Sequence, residues 1–311
     1  MFTRRAFFRW TVGLTAAGIA TGAYGLGIEP FRMVVTRYKF TPKRWTEGLK
    51  LRIAILSDIH ACEPWVSVPR LRSIVEQANK LNADLILLLG DFAGGHRFIV
   101  DEVHSHEWGP VLSELVAPLG VHAVLGNHDW WDDLTAQLNG HGPVYGQVAL
   151  ERAGVRVFEN DAIRLVKDKH PFWLAGLGDQ LALLPYRKYG RDRWQGMDDL
   201  RGTIDKVTDD APLLLMAHEP DIFPRVPSRV SVTMSGHTHG GQVRLIGWSP
   251  VVPSRHRNRY AYGHIIEPRI DGPETSLIVT GGIGCSIMPV RYGVPPEIVL
   301  LELGQKADVS S

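Results

Sequence analysis

Apolar segments that run into metal-ligand side chains are the feature of this sequence that most constrains its fold. Five segments of strand length are each followed by an aspartate, a histidine or an asparagine: residues 51–56, 84–89, 121–125, 213–217 and 230–234. The apolar run within 84–89 is typical of a strand buried on both faces, as in a layered α/β core. Because α/β folds build their sites in loops at strand ends, we predict an α/β protein with one site at the edge of its sheets.

The polar residues that follow these segments form five strings. They are Asp58-x-His60, Gly90-Asp91, Gly126-Asn127-His128-Asp129, His218 and Gly236-His237-x-His239. Residues two apart in extended backbone point to the same side, so each of the two x-containing pairs presents both side chains together. Carboxylate and imidazole together suit Zn²⁺, Mn²⁺ or Fe²⁺. Cysteine does not occur in these strings, which argues against a structural zinc site.

The body of the chain has an ordinary globular composition and no basic excess. Of its 311 residues, 44% are hydrophobic and 22% are charged, which excludes extensive disorder and allows a sizeable core. The net charge is +1, and removing residues 1–28, which hold three arginines and no acid, changes it to −2. We therefore expect no dedicated nucleic-acid partner, because such a partner requires a basic surface.

The N-terminal segment is typical of an export signal. Arg4 and Arg5 are adjacent and shortly precede Phe7, and residues 10–28 carry no charge. Paired arginines before a moderately apolar segment resemble a twin-arginine signal, which implies the twin-arginine export machinery as a partner. A simple membrane anchor is the alternative, since an uncharged run of about this length just spans the hydrocarbon core.

These features divide the chain into four parts. We expect a twin-arginine-like signal or membrane anchor at 1–28, a stalk at 29–49, one folded domain at 50–304 and a tail at 305–311. Arginines beside a membrane segment stay on the cytoplasmic side. The domain is therefore expected at the cell membrane or in the periplasm or another extracytoplasmic space.

In their order along the chain, the five strings resemble the signature of the calcineurin-like metallophosphoesterase superfamily over roughly residues 50–304. The resemblance implies an α/β fold, a four-layer α/β/β/α sandwich of two mixed β-sheets flanked by helices. It also implies two divalent metal ions per chain (Mn²⁺, Zn²⁺ or Fe²⁺). One ion would take Asp58, His60, Asp91 and His239, and the other would take Asp91, Asn127, His218 and His237.

The same resemblance assigns catalytic roles to two further residues. A hydroxide that bridges the ions would attack phosphorus, as in other two-metal sites. His128 would lie beside the substrate phosphate and give a proton to the leaving alkoxide. Asp129 would fix the tautomer of that histidine, as carboxylates behind a catalytic imidazole do.

The twin-arginine-like start and four further segments resemble a bacterial membrane-associated branch of exported or membrane-bound phosphodiesterases. The segments are residues 236–242, 282–284, 289–291 and 295–298. The expected function is hydrolysis of a phosphodiester or pyrophosphodiester at the cell envelope. A related branch hydrolyses the pyrophosphate of UDP-2,3-diacylglucosamine, a reaction of the cytoplasmic face that conflicts with an export signal. A broad phosphomonoesterase is a third reading. A non-catalytic scaffold is the fourth, and it predicts missing ligands, whereas the sequence contains them all.

Two local features suggest a lipid-linked substrate and a membrane surface as partners. Trp130 and Trp131 directly follow the catalytic string, where they can form an aromatic wall. The run that contains Arg255, Arg257 and Arg259 supplies cations for headgroup phosphates. Core packing is the alternative role of the tryptophans, and a solvated loop is the alternative for the basic run.

The twin-arginine assignment predicts the outcome of a charge-conserving substitution. Arg4→Lys with Arg5→Lys should block export while the body stays active in the cytoplasm, because the pair acts as an address and its charge is unchanged. Fractionation of cells that produce either form measures this. Delivery of the double variant across the membrane at the wild-type level would leave only a simple anchor.

Overall fold

A computed structural model describes residues 3–186 and 190–305 of the chain; the expected tail falls outside them except for Gln305. The helices are α1 Arg4–Gly27, α2 Val68–Asn79, α3 Ser105–Leu112, α4 Asn127–Trp131, α5 Leu134–Asn139, α6 Tyr145–Arg152 and α7 Leu200–Asp205. Short 3₁₀ helices lie at Glu29–Phe31, Pro220–Arg225, His239–Gly241 and Arg257–Tyr260. The strands are β1 Val34–Phe40, β2 Leu51–Leu56, β3 Cys62–Glu63, β4 Leu85–Leu88, β5 Asp101–Glu102, β6 Val121–Val124, β7 Arg156–Phe158, β8 Asp161–Lys167, β9 His170–Gly176, β10 Leu213–Met216, β11 Val232–Ser235, β12 Gly263–Arg269, β13 Gly272–Val279 and β14 Glu297–Leu303.

Two mixed sheets form the centre of the described part of the chain. The first has the strand order β1-β14-β2-β4-β6-β7, and the second has the order β12-β13-β11-β10-β9-β8. Most neighbours are parallel, but β14 pairs antiparallel with β2, as do β12 with β13 and β8 with β9. With helices outside both sheets, the arrangement confirms the predicted four-layer α/β/β/α sandwich.

The layers follow from the alternation of side chains along each strand. In β2, Ile53 and Ile55 belong to the core between the two sheets, whereas Ala54 and Leu56 belong to the core under the helices. In β10, Leu214 points to the same inter-sheet core and Leu215 to the outer core of the second sheet. Strands that are apolar on both faces can only lie between two layers, so these sequences specify a sandwich interior.

Helices cover the outer face of each sheet. On the first sheet, α2 buries Leu71, Ile74 and Val75 at helical spacing, and the Ser67 side chain caps its first turn. The second sheet is covered by α7 and by the 3₁₀ helix Pro220–Arg225, which supply a thinner apolar layer. The cover leaves the loops at the carboxyl ends of the central strands to form the site.

The expectation that residues 29–49 form a stalk is wrong for residues 34–40. Residues Val34–Phe40 form β1, which pairs in parallel with Glu297–Leu303 at the edge of the first sheet. The buried carboxylate of Glu297 accepts a hydrogen bond from the Thr36 hydroxyl, so the strand is tied to the domain by side chains as well. The folded domain therefore begins before residue 50.

The N-terminal helix α1 leads directly into this domain. Residues Phe8–Phe31 are long and apolar enough to cross a membrane, a property that a signal sequence and an anchor share. Near the end of α1, the carbonyl of Gly25 accepts a hydrogen bond from the Arg291 N–H at 2.9 Å. The Tyr24 ring meets the Tyr292 ring edge-on at 6.0 Å between centroids. These contacts place the end of α1 against the loop that precedes β14.

Because β1 belongs to the first sheet, two truncations should differ sharply in stability. A chain that begins at residue 29 should fold like the full-length body. A chain that begins at residue 50 should unfold at least about 10 °C lower, since losing a packed strand costs several kcal/mol. Thermal melts of both proteins followed by circular dichroism measure the difference, and equal melting temperatures would contradict the role of β1.

Candidate metal centre

The strands bring all seven predicted ligand residues to one place. In the first sheet the parallel strands β2, β4 and β6 end just before Asp58, Asp91 and Asn127. In the second sheet the parallel strands β10 and β11 end before His218 and before the pair His237 and His239. Because the carboxyl ends of parallel strands meet at one edge of each sheet, loops from both sheets converge there.

The loops that carry these residues have an uncommon backbone conformation. Five of the seven have positive φ values between 43° and 66°: Asp58, His60, Asp91, His237 and His239. For a residue with a Cβ, this left-handed region costs roughly 1–2 kcal/mol relative to ordinary backbone. Such strain persists only where surrounding structure over-determines it, and it clusters at functional sites. The packed strands that precede each loop supply that constraint.

Asp58, His60 and His239 form one group of donors. Nε2 of His60 lies 3.1 Å from Nε2 of His239, which in turn lies 3.5 Å from Oδ1 of Asp58. The Asp58 carboxylate also accepts hydrogen bonds from the His237 backbone N–H, at 2.9 and 3.1 Å, and from the Ser57 hydroxyl at 2.5 Å. All three side chains are buried, with donor atoms close enough to share one ion.

A second group contains Asp91, His218, His237 and Asn127. Oδ2 of Asp91 lies 3.2 Å from Nε2 of His218, and Nδ1 of His237 lies 2.9 Å from Oδ1 of Asn127. The same Asp91 oxygen lies 3.6 Å from Nε2 of His60, a member of the first group. Asp91 thus lies between the groups, at the position where the predicted bridging ligand belongs.

Hydrogen bonds orient two of the imidazoles toward the centre. Nδ1 of His60 donates to the carbonyl of Ala93 at 2.8 Å, and Nδ1 of His218 donates to the carbonyl of Leu89 at 2.6 Å. Since a carbonyl only accepts, Nδ1 of each ring carries a proton, and Nε2 is the nitrogen that faces the centre. Nε2 of His218 is buried and lies 3.2 Å from the Asp91 carboxylate, without a well-aligned hydrogen bond among the described residues. A buried ring nitrogen that is oriented in this way beside a carboxylate fits a metal ligand.

The charges of the site centre on Asp91. Burial raises the pKa of this carboxyl, but the nearby imidazoles of His218, His128 and His60 together outweigh burial, so the pKa lies well below its ordinary value. Burial lowers the pKa of His218, but the carboxylates of Asp91, Glu219 and Asp58 together outweigh burial, so this pKa lies well above the usual range. Burial lowers the pKa of His60 to about 3 and also lowers those of His237 and His239. These three rings are therefore neutral, the form that binds metals.

His128 lies beside both groups. Among the described residues, its ring makes no hydrogen bond to a member of either group. Its backbone N–H donates to Oδ1 of Asp91 at 2.9 Å, and its ring meets the His60 ring edge-on at 4.8 Å between centroids. On its other side the ring contacts Trp131, at 4.9 Å. Burial lowers the pKa of His128.

The structure corrects the role expected of Asp129. Its carboxylate accepts hydrogen bonds from the backbone N–H groups of Asp91 (2.9 Å), Phe92 (2.8 Å) and Gly126 (2.8 Å). In residues 3–186 and 190–305, none of its hydrogen bonds reaches the ring of His128. Asp129 therefore ties the β4 loop to the β6 loop and positions Asp91. Its position next to His128 in the sequence suggested that it fixes the tautomer of that ring. Neighbours in sequence need not face each other, and here the carboxylate faces the backbone of the β4 loop.

Sequence reasoning missed three buried polar residues of the centre. Asp179 and Glu219 flank His218, each with a carboxylate oxygen within 4.8 Å of a nitrogen of its ring. Burial and the neighbouring Glu219 raise the pKa of Asp179 well above its ordinary value. Arg291 is fully buried, and its Nη2 lies 3.3 Å from Nδ1 of His239. The position of Glu219 directly after His218 was the only sequence signal; the other two arrive from distant segments.

The features that suggested a lipid substrate are placed differently from expectation. Trp130 is 1% exposed and belongs to the core, so it forms no wall of the site. Trp131 is half-buried, and its ring lies 5.0 Å from that of Trp194. In the basic run, Arg255 pairs with Asp221 at 3.1 Å and Arg259 with Glu267 at 2.7 Å.

Comparison with known proteins agrees with this geometry. Residues 51–241 match the calcineurin-like phosphoesterase family, and the chain belongs to that family. It is therefore an enzyme of the metal-dependent phosphoric ester hydrolase class. It is similar to an uncharacterized metallophosphoesterase, YkuE, of Bacillus subtilis, with 26% identity over 97% of both chains. It is also similar to the phosphodiesterase YaeI of Escherichia coli (27% identity, 97% of this chain and 100% of the other). A third relative is the UDP-2,3-diacylglucosamine pyrophosphatase LpxG of Chlamydia trachomatis (24% identity, 93% and 94%).

Asp91 provides the test of a two-ion centre. Wild-type protein freed of chelators should bind two ions per chain, and Asp91→Asn should lose both and at least about a hundredfold of activity, because the shared negative charge disappears. Asp132→Asn, at an exposed carboxylate nearby, is the matched control and should keep both ions. Metal analysis of the three proteins gives the stoichiometry. A wild-type value of one or zero would contradict the dinuclear assignment.

Proposed function

We propose that this protein is a phosphodiesterase that uses two divalent metal ions to hydrolyse a phosphodiester or pyrophosphodiester at the cell envelope. The proposal rests chiefly on one observation: the two donor groups meet at Asp91. Asp58, His60, Asp91 and His239 would hold one ion, and Asp91, Asn127, His218 and His237 the other. When bound, such ions activate water and neutralise charge on the phosphoryl oxygens.

The protein's own residues would prepare the site for the reaction. The ring of His218 is held by the Leu89 carbonyl, and the Asp91 carboxylate by the His128 N–H, so neither group reorganises when substrate arrives. The Asp129 carboxylate keeps the β4 and β6 loops in register. The buried guanidinium of Arg291 lies behind His239 and favours its neutral form. These residues would hold and orient the ligand side chains of the site.

His128 is the group best placed to handle the proton of the leaving group. Its ring lies beside His60 at the edge of both donor groups, and the residue as a whole is half-buried. Burial lowers its pKa in the free protein, and an anionic phosphoester beside the ring would raise that pKa again, because an opposite charge favours the imidazolium. The ring would then donate a proton to the departing alkoxide.

A location at the membrane is part of the proposal. The apolar segment Phe8–Phe31 supports either an export signal or an anchor, and the adjacent arginines favour the twin-arginine route. A body held near a bilayer meets lipids at a raised effective concentration. We therefore propose a substrate in or near the membrane, such as a phospholipid or a lipid-linked precursor of the envelope.

A UDP-2,3-diacylglucosamine pyrophosphatase-like activity is the second candidate. It is supported by the similarity to LpxG over 93% of this chain. The proposed orientation of the body disfavours it, since a nucleotide-linked lipid sugar is a substrate of the cytoplasmic face.

Hydrolysis by metal-loaded full-length protein discriminates the candidates. The panel contains bis-p-nitrophenyl phosphate, p-nitrophenyl phosphate, a vesicle-borne phosphodiester and the UDP-linked lipid. The proposal predicts that the diesters are better substrates than the monoester, and preference for the monoester would overturn it. Preference for the UDP-linked lipid over both phosphodiesters would favour the second candidate.

The role of His128 predicts a dependence on the leaving group. His128→Ala should retain both metal ions and lose roughly 10²–10⁴-fold in rate, the scale of general acid–base catalysis. The loss should shrink for diesters with good leaving groups, which need less proton donation. His106→Ala, at an exposed histidine, is the control. Equal losses across a leaving-group series would indicate that His128 only positions the substrate.

A further inference from the structure

Two loops beside the metal centre expose large apolar side chains together. The first loop runs through 245–251 and the second through 287–288. We define the apolar loop face as the exposed residues Leu245, Ile246, Trp248, Val251, Ile287 and Met288. Single exposed apolar residues are ordinary on a protein surface, but a contiguous group marks an interaction site.

The tip of the first loop carries an isoleucine, Ile246, in an unfavourable backbone conformation. Leu245 and Trp248 exchange backbone hydrogen bonds of 2.8 and 3.0 Å around the two-residue turn Ile246-Gly247, with φ values of 49° and 79°. Such turns favour asparagine at the first position, and a β-branched residue there is strained. Ile246 is fully exposed, so its side chain gains nothing from packing within the protein. Ile287, in the second loop, also has a positive φ, 37°.

The two loops are held together as one rigid surface. The Gln242 side chain donates to the carbonyls of Met288 (2.7 Å) and Val290 (2.8 Å), and it accepts from the Ser286 N–H at 2.7 Å. The Arg244 N–H donates to the carbonyl of Tyr292 at 2.7 Å. The spacing of the exposed side chains is therefore set before any partner binds.

This surface is continuous with the end of α1. Arg291 and Tyr292, which follow the second loop, make the contacts with Gly25 and Tyr24 described above. The apolar helix α1 therefore ends against the same segment that braces both loops. A bilayer that receives α1 would therefore lie near this side of the domain.

A mainly apolar cavity of about 190 Å³ lies between the two loops. Val243, Val251, Ile287 and Met288 line it, together with the metal-ligand candidate His239. The cavity therefore connects the apolar loop face with the metal centre. Its dimensions and lining suit a hydrocarbon chain rather than a polar group.

We propose that the apolar loop face is a membrane-docking surface that inserts into the outer layer of the phospholipid bilayer entered by α1. The adjoining cavity receives a hydrocarbon chain of a lipid substrate while its phosphoester lies at the metal centre. The inference rests on the membrane location given under the proposed function. It replaces Trp130 and the basic run with loop residues as the lipid-contacting groups. The proposal explains why the tip carries an isoleucine: its side chain is buried by the membrane and not by the protein.

A fluorescent probe on the full-length chain in phospholipid vesicles tests the docking directly. Ile246→Cys is labelled with a polarity-sensitive NBD group; Ile270→Cys, at an exposed isoleucine in the β12–β13 turn, is the matched control. The native Cys62 and Cys285 are buried. The label at 246 should shift to the blue and be quenched by spin-labelled lipid, and the label at 270 should show neither effect. Equal quenching at both positions, or none at 246, would overturn the proposal.

A second variant separates docking from a structural role. Ile246→Asn fits the turn better, so the full-length protein should melt at or above the wild-type temperature. The ratio of its rate on vesicle-borne diester to its rate on bis-p-nitrophenyl phosphate should fall about tenfold, as expected for one large apolar contact. Ile270→Asn should leave that ratio unchanged. A lower melting temperature together with an unchanged ratio would show that Ile246 serves only the fold.

These readouts keep the two proposals separable. If neither diester is hydrolysed but the label at 246 still contacts lipid, the phosphodiesterase assignment fails and the docking surface stands. If both diesters are hydrolysed and the label stays in water, the docking surface fails alone. Shielding of the label that depends on protein concentration in detergent, without lipid, would identify a second copy of the chain as the occupant and overturn the membrane proposal.

Discussion

The buried pair of Asp91 and His218 is the interaction on which the rest of the centre depends. A carboxylate in this interior is tolerated only because an imidazole lies 3.2 Å away and a backbone N–H donates to its other oxygen. The two residues come from different sheets, at the ends of β4 and β10. The pair therefore joins the two halves of the sandwich at the point where a metal centre needs its shared ligand.

The close approach of the loops also requires glycine at defined positions. A Cβ at Gly126 would collide with the Asp91 carboxylate, and one at Gly236 would collide with Ser57 beside Asp58. These glycines let the strand ends meet, while the left-handed ligand residues turn the side chains inward. Strain of several kcal/mol in such loops is offset by the apolar strands that lead into them, whose residues are almost completely buried.

Most of the sandwich and the grouping of the seven ligand candidates could be predicted from the sequence, because short apolar strands and their polar ends are local patterns. The features that the sequence did not predict depend on contacts between segments that are distant in the chain. β1 was missed because Arg37 and Lys39 interrupt its apolar pattern at the sheet edge, and its partner β14 lies at the far end of the chain. Asp179 and Arg291 reach the centre through the second sheet and the loop before β14, which no spacing in the sequence reveals. Asp129 was assigned to the wrong neighbour for the same reason.

The pairing of β1 with β14 has a consequence for synthesis. Thr36 and Glu297, which join the two strands, are 261 residues apart in the chain. The ribosome therefore releases the apolar helix α1 early, whereas the strand beside it has no partner until the C-terminal segment emerges. Closing such a long loop is a late event in folding. A cellular factor that binds α1 during synthesis therefore meets a nascent chain in which β1 is not yet paired with β14.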